Sequence, residues 1–414
     1  MSEFIMSKLK TINRKTLLKH TVLFFLLIQT SFASTYTLNT ILKSIDKDGS
    51  LSKVLKQESL ALEAKNQANT VTDPLELFVE GTRANPIIGK SGNEYAVGVS
   101  QKVMLGSIQE DEQMITRLSN QAYLLEGEKN ILNFRNTIKN NYHQYCLDKQ
   151  KYRSFVKNYQ NFETLYKKKQ KAFKFQEISK IELMQLEIEK NNLYTQLQEI
   201  KMQKETSKRN LLMLSNIADA SNTKLSCQDM YPIRANVQIN NSFQLSKEAH
   251  EKRVQSTHQA LKRYSSSMDS INISAQYTEE LDVDKYTIGL SIPLNFTSSK
   301  NEKERAAAMY QNSAISLKHE QLLREKRSVI MQLKSHLKNS ALTLRSLQKN
   351  YRNYQKNLLP LMKKSYDLGE ISVVEYLLTG QRSYQLREEI YNTKKEYYEM
   401  LFKLYTLSEN KDKK

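Results

Sequence analysis

Glycine and proline are scarce in this chain, ten and five in 414 residues, and tryptophan is absent. A single-chain porin needs many strands and tight turns, and this composition does not suit one. Beyond the first 33 residues no apolar run approaches the ~20 residues of a transmembrane helix. The six histidines are scattered, with no HExxH and no close Cys/His cluster. His143 and Cys146 stand at i, i+3, but two ligands make a poor metal site. The methionines are dispersed too. The sequence therefore offers no catalytic, cofactor-binding or metal residue, and it reads as a non-enzyme. Acidic residues are outnumbered, giving a formal charge of +19. No Gly-rich or aromatic RNA-binding motif accompanies that charge, so nucleic acid is not the expected partner. Solvated helix faces account for it, with contacts to anionic lipid or partners as a secondary use.

The first residues carry an export signal. Lys8, Lys10, Arg14, Lys15 and Lys19 precede the short apolar run Thr21–Ile28, and Ser31-Phe32-Ala33 fits a small-x-small cleavage site. An uncleaved anchor is the alternative, although the run is too short for a stable span. No Cys follows it, which argues against a lipoprotein. Removing residues 1–33 takes the charge to +15. An exported chain with two cysteines, Cys146 and Cys227, can hold a disulfide.

The chain repeats itself. QKAFKFQEISKIELMQ (170–185) aligns with KKSYDLGEISVVEYLL (363–378), and YAVGVSQKV (95–103) aligns with YTIGLSIPL (286–294). The two offsets differ by only two residues, which is the mark of a tandem duplication with a small indel.

Each half changes its hydrophobic period at the same place. Leu75, Leu77 and Val79 alternate with Glu76, Phe78 and Glu80. Tyr95, Val97 and Val99 alternate with Ala96, Gly98 and Ser100. Ile271, Ile273, Ala275 and Tyr277, then Tyr286, Ile288, Leu290 and Ile292, repeat the pattern. Period two predicts strand hairpins over 75–103 and 270–295, each with one apolar face. A half-buried sheet of a soluble domain would alternate in the same way. The period then turns helical. Ile138, Tyr142, Tyr145, Lys149, Tyr152, Val156 and Tyr159 form one coiled-coil seam. Ile330, Leu333, Leu337, Ser340, Leu344, Leu347, Tyr351, Tyr354, Leu358 and Leu361 form the other.

These patterns predict long helices over 107–175 and 298–368, the first roughly 100 Å long. Pro360 should kink the second near its end. Returning helices follow over 179–214 and 372–407. Ser179 with Glu182, and Ser372 with Glu375, read as capping boxes that start them. Further helices over 38–69 and 243–264 lead into the strands. The first repeat is thus 34–215 and the second 242–408. Residues 216–241 form an irregular middle segment, and 409–414 a disordered tail.

Four strands cannot close a barrel, and an open lipid-facing sheet would leave backbone groups unpaired in hydrocarbon. Several copies must share one barrel. The paired YxxGxS strands, Ile292-Pro293-Leu294 after the last strand and the twice-used L/F-x-E-I-S-x-x-E phrase resemble the TolC family of outer membrane efflux proteins. The resemblance covers nearly all of the mature chain. It departs at PLNFTSSK, where many relatives have Phe and Gly after the Pro, and at Lys102, which stands opposite Pro293.

The resemblance implies a mainly α fold with a small β part. Long coiled-coil hairpins would join four strands that contribute to a trimeric twelve-stranded transmembrane barrel in the bacterial outer membrane. It implies an exit duct of a tripartite efflux pump, working with a periplasmic adaptor and an inner-membrane transporter. The outer component of type I secretion is the alternative, and a periplasmic coiled-coil adaptor without a pore is the more distant one.

The resemblance further implies that the hairpin tips meet the adaptor and form the closed entrance. Those tips hold Phe173, Phe175, Glu177, Ser179 and Glu182 in the first half. In the second they hold Tyr366, Asp367, Leu368, Gly369, Glu370, Ser372 and Glu375. Gly369 supplies its turn, while Gln176 stands in its place in half one, so that turn should differ in detail. Asp367 is the better gating candidate, because capping does not account for it. Cys146 lies about 31 residues, or roughly 46 Å, above the first tip. Cys227 follows the returning helix at a similar height. A Cys146–Cys227 disulfide and two unpaired buried thiols are both open, and a Cα separation above ~7 Å would exclude the bridge.

Overall fold

The computed structural model describes residues 35–68, 71–85, 87–218, 223–239, 243–266, 268–293 and 298–409. The expected signal peptide (1–33) and residues 410–414 lie outside these. Strand β1 (Thr35–Tyr36) leads into α1 (Leu38–Asp48) and α2 (Ser50–Ala68). The hairpin β2 (Glu76–Ala84) and β3 (Gly92–Met104) follows, then α3 (Ile108–Lys174) and α4 (Lys180–Leu214). After β4 (Lys224–Leu225) the order repeats: α5 (Gln244–Arg263), β5 (Ser270–Glu279), β6 (Asp284–Ser291), α6 (Lys300–Asn353), α7 (Leu359–Asp367) and α8 (Val373–Leu407). The 67 residues of α3 make a helix roughly 100 Å long.

One antiparallel sheet carries the strands of both halves, in the order β2-β3-β5-β6. Its register stacks the apolar positions on one face: Val79 beside Val97, Val97 beside Tyr277, Ala275 beside Ile288. That face is bare, with Leu77 70% and Ile288 86% exposed. The repeated glycine of YxxGxS belongs to the other face. A Cβ on Gly98 would lie 2.3 Å from the Phe78 ring, and one on Gly289 2.5 Å from Ser274 Oγ. Each glycine therefore makes room for a side chain of the adjacent strand.

Three helical expectations are corrected. The helix over 38–69 is broken in two at Gly49, which turns left-handed at φ 58 and returns its N–H to the Ile45 carbonyl. The second long helix is interrupted by a π turn, Tyr354–Leu358, between α6 and α7. Pro360 has no N–H and its ring crowds the carbonyl four residues back, and the wider turn just before it absorbs that conflict. The predicted seam therefore fails below this point. Leu358 and Leu361 are exposed, whereas Tyr366 is buried. Glu409, expected to open a disordered tail, is instead buried, and its carboxylate takes the Lys326 ammonium at 2.6 Å.

The middle segment is irregular but anchored. Its β4 pairs in parallel with β1, a pairing with no signal in the sequence pattern. A Cys146–Cys227 disulfide, with Cα atoms 5.6 Å apart, ties it to α3. Its backbone is satisfied by helix side chains, as buried polar groups must be. Tyr142 donates to the Ser226 carbonyl, Tyr397 to that of Arg234 and Tyr398 to that of Tyr231. His143 is fully buried there. Its Nε2 accepts the Tyr231 N–H at 2.8 Å while Nδ1 lies 2.7 Å from the Lys139 carbonyl. Nδ1 therefore carries the proton.

Candidate functional site: the paired hairpin tips

Both hairpins end in the same backbone turn. The Glu177 N–H reaches the Ala172 carbonyl and the Glu370 N–H reaches the Ser365 carbonyl, each spanning five residues. Gly369 holds φ 75 and Gln176 holds φ 60. The expected difference in turn geometry is thus overturned. Gln176 adopts the left-handed conformation despite its Cβ, at a cost of about 1–2 kcal/mol.

The helices after the turns start differently. Ser372 accepts the Glu375 N–H at 3.2 Å, and the Glu375 carboxylate returns to the Ser372 N–H at 2.8 Å, a complete capping box. Ser179 accepts the Glu182 N–H at 3.1 Å. The Glu182 carboxylate, however, turns away from its own cap and accepts the Tyr366 hydroxyl of the other hairpin. Lys169 lies 3.5 Å from the same carboxylate and 4.0 Å above the Tyr366 ring. The box expected at Ser179 is therefore half made, because Glu182 is used to join the hairpins.

Tyr366 is buried and stacks on Tyr376 at 4.8 Å. Tyr166, Leu186 and Val373 complete the apolar cluster between the hairpins. Burial raises the Tyr366 phenol well above its ordinary pKa, and the Glu182 carboxylate beside it raises it further. The sequence alignment sets Tyr366 against Phe173, and the added hydroxyl is the one sign that this position does more than pack. Lys169 and Tyr376 escaped sequence reasoning, since neither falls on the repeated phrase at matched positions.

The remaining predicted residues sit outside this link. Phe173 is half-buried. Phe175 is 77% exposed at the apex of the first tip, and Leu368 is exposed on the second. Glu177, Asp367 and Glu370 point to solvent. Asp367 also edges a groove of about 600 Å³ between the hairpins, walled by Glu189, Pro360, Gly380 and Tyr384. Nothing at the tips combines a nucleophile with a base. Among the described residues no group of three or more His, Cys, Asp or Glu could hold a metal ion. The geometry positions and joins helices.

Neither the protein-family models nor the curated proteins contain a match to this sequence. Solved structures do match. The Campylobacter jejuni CmeC outer membrane channel is 15% identical and superposes with a TM-score of 0.69 over 91% of this chain and 88% of its own. The Vibrio cholerae outer membrane protein VceC is 11% identical, with a TM-score of 0.70 over 90% and 96%. The Neisseria gonorrhoeae MtrE outer membrane channel, solved in its open state, is 14% identical, with a TM-score of 0.68 over 90% and 89%. The chain has the TolC fold. At this identity the shared feature is the whole arrangement of a TolC-type protomer: two strand hairpins in one sheet and two long helical hairpins.

Proposed function

We propose that this protein is the outer membrane exit duct of a tripartite efflux pump. Three copies close a twelve-stranded barrel, and their helices continue it into the periplasm. The observation that carries this reading is the sheet. It has four strands, one bare apolar face, and two edge strands, β2 and β6, that pair on one side only. Lipid can cover the face only if neighbouring copies pair the edges. Tyr95, Tyr277 and Tyr286 gather at the hairpin end of that face, as an aromatic girdle would. The fold shared with outer membrane channels supports the same reading. Such a duct does no chemistry, and its energy comes from an inner-membrane transporter reached through an adaptor at the tips.

Membrane fractionation and an unheated denaturing gel test the reading. The expected result is an outer membrane protein running as a heat-labile trimer, and recovery as a soluble monomer would overturn it. Within this reading Asp367, repeated around the threefold axis, forms an acidic ring at the entrance. Asp367→Ala should raise leak conductance in planar bilayers, and an unchanged conductance removes it from the gate.

A further inference from the structure

One pair of side chains on the barrel side of the middle segment is explained neither by packing nor by the duct. His250 on α5 and His319 on α6 lie face to face, with ring centroids 3.9 Å apart and planes within 4° of parallel. Both rings are half-buried. Parallel rings cannot aim their in-plane lone pairs at one ion, so the pair is not a chelate. Neutral imidazoles stack well at this spacing, whereas two imidazolium rings would repel each other.

The surroundings add to that repulsion at His319, where Lys326 and Lys247 disfavour a proton, while Glu251 partly offsets it at His250. On α5 the charged neighbours are Lys247, Glu251 and Arg253, and on α6 they are Glu320 and Lys326. Arg253 is paired with Glu126 of α3 at 2.8 Å, and Lys326 with the buried Glu409 at 2.6 Å. Lys129 of α3 is a further cation close to Lys326. Lys326 also donates to Ser246 Oγ at 2.8 Å, one turn from His250. With those two ion pairs set aside, Lys247 and Lys129 balance Glu251 and Glu320, so no surplus of negative charge is left to favour a second imidazolium.

We propose that the His250–His319 stack is an acid-sensitive joint, which clamps α5 to α6 while both rings are neutral and releases them when the periplasm turns acidic. Helix α5 leads into β5 and is also held to α3 through Lys262–Asp111 and Arg263–Glu112, so the released contact is its α6 side only. The direction of the shifts agrees. Burial lowers both imidazoles, and for His319 the His250 ring lowers it further. A histidine held below its unfolded pKa stabilises the fold fully above about pH 6.5, and that contribution is lost as pH falls below it. His143, held down to about 4 by burial, shares that onset but sits on α3 in the middle of the helical body, away from this contact.

Amide hydrogen exchange across residues 247–260 tests the joint, using the full chain in lipid nanodiscs at about pH 7.5 and about pH 5.5, either side of the ordinary imidazole pKa. After correction for intrinsic exchange, wild type should lose protection by roughly tenfold or more on acidification. His319→Phe keeps a stacked ring without a titrating proton and should stay protected at both values. His319→Arg fixes the charge and should be deprotected already at the higher pH. Equal wild-type protection at the two values overturns the proposal, as does a His319→Phe protein that loses protection as wild type does. If His319→Phe does not fold, His250→Phe makes the same test from the other ring. The readout is a helix contact, so its failure is distinct from failure of the duct reading.

Discussion

Hairpin one, α3 with α4, keeps its seam on a strict seven-residue repeat: Ile138, Tyr145, Tyr152, Tyr159, Tyr166 and Phe173. Hairpin two, α6 and α7 with α8, runs Ile330, Leu337, Leu344 and Tyr351, then Leu359 and Tyr366. One interval is eight residues instead of seven, and the π turn lies inside it. The π turn supplies one of the two residues by which the repeat offsets differ. It rotates everything below it, which is why Tyr366 turns inward while Leu358 and Leu361 turn out. Hairpin one also gains covalent support, and both hairpins carry cation–π contacts, Arg387 lying over Tyr351 at 5.1 Å in hairpin two. The disulfide closes hairpin one at the top, and Lys204 and Lys190 lie over Tyr152 and Tyr166 at 4.3 and 4.4 Å, each contact being worth about 0.5–1 kcal/mol. Two copies of one design have thus diverged into a stapled hairpin and an interrupted one, joined at the tip by Tyr366 and Glu182.

Removing the staple should narrow this difference most. The bridge spans a sequence separation of 81 residues that includes all of α4. By the loop-entropy argument, Cys146→Ser should cost about 4 kcal/mol in denaturant unfolding. A loss below about 1 kcal/mol would mean that packing alone holds hairpin one.

Acid should act next, again on hairpin one first. Burial holds His143 at about 4, below its unfolded value, so stability is full near neutrality and falls as pH drops below about 6.5. The full effect is roughly 3 kcal/mol. His143→Gln should flatten the acid limb of a stability–pH curve, and an unchanged limb would assign it to other groups. His336, at the tip offset of 193 residues, is exposed on hairpin two. The seam offset has moved by one residue there, so the same residue type lands on solvent.

Much of this was legible in the sequence, and the residues show where legibility stops. The strand faces follow from alternation, and the two tips from the repeated phrase, because both depend on local spacing. The π turn was hidden because a heptad pattern assumes an uninterrupted α-helix, and Pro360 announced only a kink. The Glu182–Tyr366 bond was hidden because capping satisfies Glu182 equally well on paper. Only the neighbouring hairpin decides between the two partners. The β1–β4 pair and the buried Glu409 depend on chain segments nearly 190 and more than 80 residues apart, and no short window can see them.

The tip bond gives a smaller and more local test. Tyr366→Phe keeps the ring, the stack on Tyr376 and the Lys169 contact, and removes only the hydroxyl that Glu182 accepts. Losing a bond to a charged acceptor in a half-buried site should cost about 1–2 kcal/mol. Amide exchange should rise at both tips together if the bond joins the hairpins. A rise confined to α7 would mean that Glu182 recovers its own cap and the hairpins are joined by packing alone.

The smallest effect isolates the turn itself. Gln176 and Gly369 occupy the same left-handed position, and only Gly369 does so without steric cost. Gln176→Gly removes the Cβ strain but adds backbone freedom to the unfolded chain, so the two terms oppose. Strain of about 1–2 kcal/mol against an entropy term of about 0.4–1 predicts a net gain of a few tenths to about 1 kcal/mol. Gly369→Gln should lose about the same. Unequal magnitudes would show that the two tips, alike in backbone, sit under different load. That outcome is the one expected if the six-lysine tip of hairpin one (167–182) and the two-lysine tip of hairpin two (360–375) face different neighbours in the closed entrance.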